Sequence, residues 1–289
     1  MKRKGSVMII VAMSIILIMG IVAIVIDYGV FLVEKNNLQY GMDAAVLAGI
    51  KELPDSEQAA RTMVNDYLVL NDVDPANVTI LIDNEEGIIR LNGEITVQTI
   101  FARVFGVTEV NIAQTSAAQV GVAGSAATGL RPFVVKEDQC FPGNIVVLRE
   151  MVGDQGNYGP VRLGDADSGL SDLVDNVLYG TDVVINVGDF LDTEPGAMTS
   201  LYRQASDYIN SLGPDDDDRY WVLPVIGSDV DYQGLTSVEV KGFALIKVSD
   251  LVKTGNDWTI EGEFVAKVIA GNINNEAGDY GLLSSRLIK

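Results

Sequence analysis

The sequence contains no histidine and a single cysteine, Cys140, and it holds half as many basic as acidic residues, 20 against 40. Each shortage removes a class of function. Without imidazole there is no Ser-His or Cys-His nucleophile pair, no ordinary general base near neutral pH, and no ligand of the kind most zinc sites use. One cysteine cannot close an intramolecular disulfide or build a multi-cysteine zinc or iron–sulfur centre. Cys140 is then either a small buried hydrophobe or a thiol able to pair with another chain. A net charge of −20 repels nucleic acid, which is therefore not an expected partner. Proline is absent before Pro54.

What is present starts with 48% hydrophobic residues in a chain of 289, enough for a sizeable core in one or two domains. Charge is unevenly spread. Residues 1–51 carry Lys2, Arg3, Lys4, Lys35 and Lys51 against Asp27, Glu34 and Asp43, so the acidic excess lies downstream. No charge interrupts the run from Ser6 to Ile26. As a helix rising ~1.5 Å per residue it covers ~31 Å, the thickness of a bilayer's hydrocarbon core. Its Ile, Val and Leu side chains favour insertion by ~4 to 8 kcal/mol together, and Asp27, which would cost ~3 kcal/mol at the centre, marks the far interface. Residues 6–26 are thus expected to contact membrane lipid. Lys2, Arg3 and Lys4 keep the N-terminus cytoplasmic and send the acidic tail outward. A cleaved secretory signal is the rival reading, but the run is about twice the minimum apolar core of a signal and no small-x-small site follows it.

Beyond Asp27, the stretch YGVFLVEKNNLQYGMDAAVLAGIKEL reads as helix continuing out of the membrane, with Phe31, Leu38 and Ala45 at seven-residue spacing. Gly41, Ala44, Ala45, Ala48 and Gly49 form a small-residue seam that permits close approach of another element. Its partner could be the chain's own soluble domain or another chain.

Gly5-Ser6 before the apolar run, Asp27 and Gly29 at its end, Leu38-Gln39, and the run DAAVLAG from Asp43 to Gly49 together resemble the N-terminal segment of Flp pilus-assembly proteins of the TadE/TadG-like group. The resemblance covers about residues 5–50. It implies a bitopic envelope protein serving a tight-adherence pilus or related secretion machine, with other pilus-assembly or envelope proteins as partners. Ile10 stands where processed prepilin-like members carry a glutamate, so the likeness is to the unprocessed, TadG-like members.

Downstream, Pro54 and Asp55 close one helix and Asp55 or Ser56 caps the next, with Ala59, Met63, Tyr67 and Leu70 along one face. Val78–Asp83, Ile88–Asn92 and Ile95–Thr99 are expected as antiparallel strands, turned at Asn84–Gly87 and at Asn92-Gly93. Phe101–Phe105 resembles one helical turn closing at Gly106, and Val110–Val122 alternates as a strand. The small residues from Val122 to Leu130 have the composition of a linker or a flat strand edge. Ile145–Arg149, Val183–Val187, Tyr220–Gly227, Val238–Val248 and Trp258–Ala270 are β-branched and aromatic runs, with one helix near Leu201–Leu212. No element is expected in the last dozen residues. The fold expected is membrane-anchored α+β: residues 1–53 as basic tip, transmembrane helix and its extension, 54–122 as a small α+β unit, and 131–289 as a mostly β, sandwich-like exported domain.

Three acidic clusters invite a calcium reading: Asp165 and Asp167, then Asp189 with Asp192 and Glu194, then Asp215 to Asp218. Calcium wants six to eight oxygens. The first cluster has Gly169 and Asn176 where ligands should stand, the second fits a surface turn, and the aspartate run repels itself as an exposed flexible loop. No metal, cofactor or catalytic residue is assigned. A carboxylate pair could act without histidine, but nothing selects one among 40 acids, and no enzymatic activity is expected. The expected function is a structural or assembly role in a Flp-type pilus or related apparatus. The alternative is a membrane-anchored adhesin or ligand-binding module, in which Tyr158, Tyr220, Trp221 and Trp258 would be exposed on one face.

Overall fold

A computed structural model describes residues 3–149, 161–163, 170–181, 183–193, 199–230, 237–254 and 257–288. The chain divides into two compact units, one of residues up to Gln119 with Leu287 and Ile288, the other from Val120 to Arg286.

The first unit is built on α1 (Arg3–Glu52), a continuous helix of 50 residues. From Val7 to Ile26 it is apolar and largely exposed, and it is long and apolar enough to cross a membrane. Its second half is amphipathic: Leu38, Met42, Ala45, Val46 and Ile50 recur at helical spacing and are buried. They pack on α2 (Glu57–Leu70) and on a meander of β1 (Val78–Asp83), β2 (Ile88–Gln98) and β3 (Glu109–Val122). Ser56 caps α2 by accepting the Ala59 N–H at 3.3 Å. The buried face of α2 is Ala60, Val64 and Leu68, one position on from the face read in the sequence. The helical period is as expected and the phase differs, because Gly49 of α1 admits Val64, while Leu70 is exposed.

β1 and β2 pair antiparallel from Val78↔Gly93 to Asp83↔Ile88, around a turn in which Asp83 accepts the Glu85 and Glu86 N–H groups and Gly87 takes φ +61°. The Asn92-Gly93 turn expected from the sequence does not occur. β2 runs straight through it as one strand, paired with β3 from Ile88↔Gln119 to Gln98↔Glu109. Gly93 is needed for another reason: a Cβ there would stand 2.6 Å from Met42 Sδ and 3.1 Å from Leu38 Cδ1, so its absence lets α1 lie against the sheet.

The second unit continues with β4 (Ser125–Ala126), β5 (Val135–Lys136), β6 (Ile145–Arg149), α3 (Leu170–Tyr179), β7 (Ile185–Asn186), β8 (Phe190–Asp192) and α4 (Thr199–Ser211). It ends with β9 (Tyr220–Ile226), β10 (Ser237–Glu239), β11 (Gly242–Thr254), β12 (Asp257–Val265), β13 (Lys267–Ala270) and β14 (Leu282–Ile288), the last two residues of which belong to the first unit. Its main sheet has the order β5-β9-β11-β12-β6, antiparallel except for β5 beside β9. The centre is apolar on both faces. Trp221, Leu223 and Val225 join Ala244, Ile246 and Val248 in a core covered by Val177 of α3 and Ala205 and Ile209 of α4. On the reverse, Val222, Ile226, Phe243 and Leu245 meet Ala126, Leu130, Ile185, Leu191 and Val238. Of the two readings of Val122–Leu130, the strand edge fits and the linker does not: Ala123, Ala126 and Leu130 are buried and β4 pairs with β7. Smallness there serves close packing. The closing strand β14, which was not expected, pairs parallel with β13.

Candidate functional site

The residues that carry the family likeness all lie on α1, and Asp27, Gln39, Asp43 and Gly49 among them fasten it to its own unit. Asp27, the first charge after the apolar run, accepts N–H groups from the tip of the β2–β3 hairpin: Ile100 at 2.8 Å, Phe101 at 3.0 Å and Ala102 at 2.6 Å. These are the amides that open a single 3₁₀ turn, Ala102–Phe105, closed by Gly106 at φ +86°. A carboxylate suits them because the exposed N–H groups at the start of a turn want an anionic acceptor. Partial desolvation opposes ionisation of Asp27, but the N–H groups of Ala102, Ile100 and Phe101, with Arg103 nearby, outweigh it and hold the carboxyl below its usual value.

Farther along, Asp43 accepts from Gln39 Nε2 at 2.7 Å and from Ser116 Oγ of β3 at 2.5 Å, while Gln39 also reaches the Thr115 carbonyl at 3.4 Å. The small-residue seam is filled from within the unit. A Cβ on Gly49 would stand 2.3 Å from Val64 Cγ2 and 2.9 Å from the Ala60 carbonyl, and one on Gly41 would stand 2.5 Å from Val73 Cγ2. Gly29 has no neighbour within 4 Å of its would-be Cβ, so nothing inside the unit explains it.

Between α1 and the hairpin tip lies an open, almost wholly apolar groove of about 620 Å³. Ala23, Ile24, Tyr28 and Phe31 line it from the helix, and Phe101 and Phe105 from the tip. Asp27 sits at the point where the two sides are pinned together. The polar side chains on its lining are Asp27, Tyr28, Gln98 and Thr99, of which Asp27 is engaged by the tip's N–H groups and Thr99 Oγ1 donates to the Val107 carbonyl at 2.6 Å.

The other residues singled out in the sequence fall as follows. Asp165, Asp167, Glu194 and Tyr158 lie outside the described residues, as does the side chain of Trp258. Asp189 turns inward on its own loop, accepting from the backbone N–H and the side-chain amide of Asn186 at 2.8 and 3.2 Å. The aspartate run is an ordered turn: Asp216 accepts the Asp218 N–H, Asp215 pairs with Lys247, Asp217 with Lys267, and Asp218 accepts from Tyr208 Oη. Among the described residues no group of three or more acidic or cysteine side chains is arranged to hold a metal ion. Trp221 is 1% exposed and stacks on Phe133, with ring centroids 6.1 Å apart, so it cannot belong to an exposed aromatic face. Cys140 is buried, with its thiol pushed up to about 12 by desolvation and by Asp138 and Glu137.

Two arginines missed in the sequence are keystones of the second unit. Arg131, 2% exposed, stands 5.5 Å over the Trp221 ring and donates to the Leu178 carbonyl at the end of α3. Burial lowers its pKa to about 10. Arg219 donates to the carbonyls of Ile209 and Leu212 at the end of α4 and of Val248 and Ser249 on β11. Their roles show only once the carbonyls they bond, up to 47 residues away, are brought round them.

Compared with known proteins, residues 5–61 match the family model described as Tad, putative Flp pilus-assembly TadE/G-like. No curated protein and no solved structure matches the chain significantly.

Proposed function

We propose that the chain is a single-pass cell-envelope protein with a structural or assembly role in a Flp-type pilus or related secretion apparatus. The observation that carries this is the coincidence of the family match at residues 5–61 with the fasteners of α1, because Asp27, Asp43 and Gly49 tie an apolar helix to its own folded unit. An anchor rigidly joined to what it carries suits a mechanical role. In this reading Lys2, Arg3 and Lys4 hold the N-terminus in the cytoplasm. The acidic, mostly β, sandwich-like domain then stands outside, where it meets other pilus-assembly or envelope proteins. No catalysis is part of the role.

Deleting the gene tests this directly. Loss or alteration of surface filaments, restored by the wild-type gene on a plasmid, is the expected outcome. Normal piliation in the deletion strain overturns it.

A further inference from the structure

The tip of the β2–β3 hairpin breaks the pattern of the surface around it. Val104 and Phe105 are 79% and 78% exposed, and Ile100, Phe101 and Val107 are exposed beside them. In a chain with 40 acidic residues, the stretch from Ile95 to Thr108 carries one charge, Arg103, whose guanidinium folds back on the Thr99 carbonyl. A two-strand tip that offers five large apolar side chains to water is unfavourable unless something covers it.

Its height along α1 indicates what. Asp27 ends the apolar run and grips the tip through three successive amides, so the tip sits where a spanning helix would leave the bilayer. Phe101 and Phe105 share a groove with Ala23 and Ile24, which lie one turn inside the apolar run. The tip therefore reaches about one turn, ~5 Å, below the Asp27 level. Tyr28, exposed and stacked on Phe31, adds an aromatic side chain at the same level, as interfacial belts do.

We propose that the segment Ile100–Val107 is a membrane finger: its apolar side chains insert into the leaflet that α1 leaves at Asp27, and acyl chains fill the groove between finger and helix. This rests on residues 6–26 spanning a bilayer and adds a second, lateral attachment that fixes how the first unit stands on the membrane surface. Asp27 is the pin that sets the finger's depth. Desolvation of its three N–H partners in the interface is tolerated because each is already bonded to the carboxylate.

The full chain reconstituted in phosphatidylcholine vesicles tests the inference. Val104→Cys, Ile16→Cys and Leu70→Cys are each labelled with an environment-sensitive fluorophore. The buried thiol of Cys140 stays unlabelled, with the wild-type chain as the blank. The finger requires the Val104 label to be quenched by nitroxide lipids and shielded from iodide several-fold better than the Leu70 label. A lipid-quenched Ile16 label with a water-exposed Val104 label overturns the finger and leaves the anchor standing. A Val104 label shielded from both quenchers overturns it in favour of a protein neighbour. An Ile16 label out of reach of lipid removes the span and the finger together.

Discussion

At the scale of single residues, Asp27 does two things that pull in opposite directions. It is a charge placed where an apolar helix ends, and it is the acceptor for three backbone N–H groups of a distant loop. Because those bonds favour the ionised form, its folded pKa lies below the unfolded value. The clamp is thus fully present above the ordinary carboxylate range and is lost as pH falls through the lowered folded value. Amide exchange of Ile100, Phe101 and Ala102 should accordingly stay slow at neutral and mildly acidic pH. Asp27→Ala should make those three amides exchange fast at every pH, while Asp27→Asn, which keeps acceptor oxygen but not charge, should give an intermediate rate. Unchanged protection in Asp27→Ala would show that the loop holds itself. The position of Asp27 as an end marker was legible in the sequence. Its clamp was not, because its partners lie 73 to 75 residues away and only the β2–β3 register brings them to it.

Among the elements, the two helices of the first unit show how far periodicity goes. It predicts that α2 is a helix with one apolar face, but Ala59, Met63, Tyr67 and Leu70 repeat as well as Ala60, Val64 and Leu68 do. The glycines of α1 decide between them. Gly49→Ala should place a methyl against Val64 and the Ala60 carbonyl, neither of which is a flexible chain end. Overpacking of this kind costs about 1–3 kcal/mol, against about 1 kcal/mol gained in helix propensity, so the net effect is destabilising. Gly29→Ala, with open space around it, should not lower stability at all. Thermal melting of the two variants in detergent checks the contrast, and equal melting temperatures would mean that the seam has room for a methyl group. α3 was missed although Leu170, Val174, Val177 and Leu178 follow helical spacing, because the surrounding Gly and Asp residues read as turns. β14 was missed because Ser284 and Ser285 are buried polar residues that hide its pattern.

On the scale of the whole molecule, the apolar half of α1 dominates behaviour. The gain of ~4 to 8 kcal/mol on insertion exceeds what a surface attachment by one loop supplies. The full chain should sediment with membranes, resist alkaline carbonate, and be released by detergent. A chain lacking residues 3–26 should fractionate as soluble protein despite its exposed hairpin tip. Carbonate extraction of the full chain would mean that α1 does not span.

What the sequence determined by itself are the properties carried by contiguous residues: the length of the apolar run, the basic residues before it, the Asp27 boundary, the acidic tail, and the excluded histidine and multi-cysteine chemistries. These depend on local composition, and a bilayer or a field of charge reads them without reference to fold. The tertiary structure alone decided that the small-residue seam is closed from within, that Gly93 passes a helix rather than turning a strand, that Trp221 is core, and that Asp27 holds a loop. Each of these depends on strand register and helix phase, which are set by contacts between residues far apart in the chain. No window of neighbouring residues contains that information.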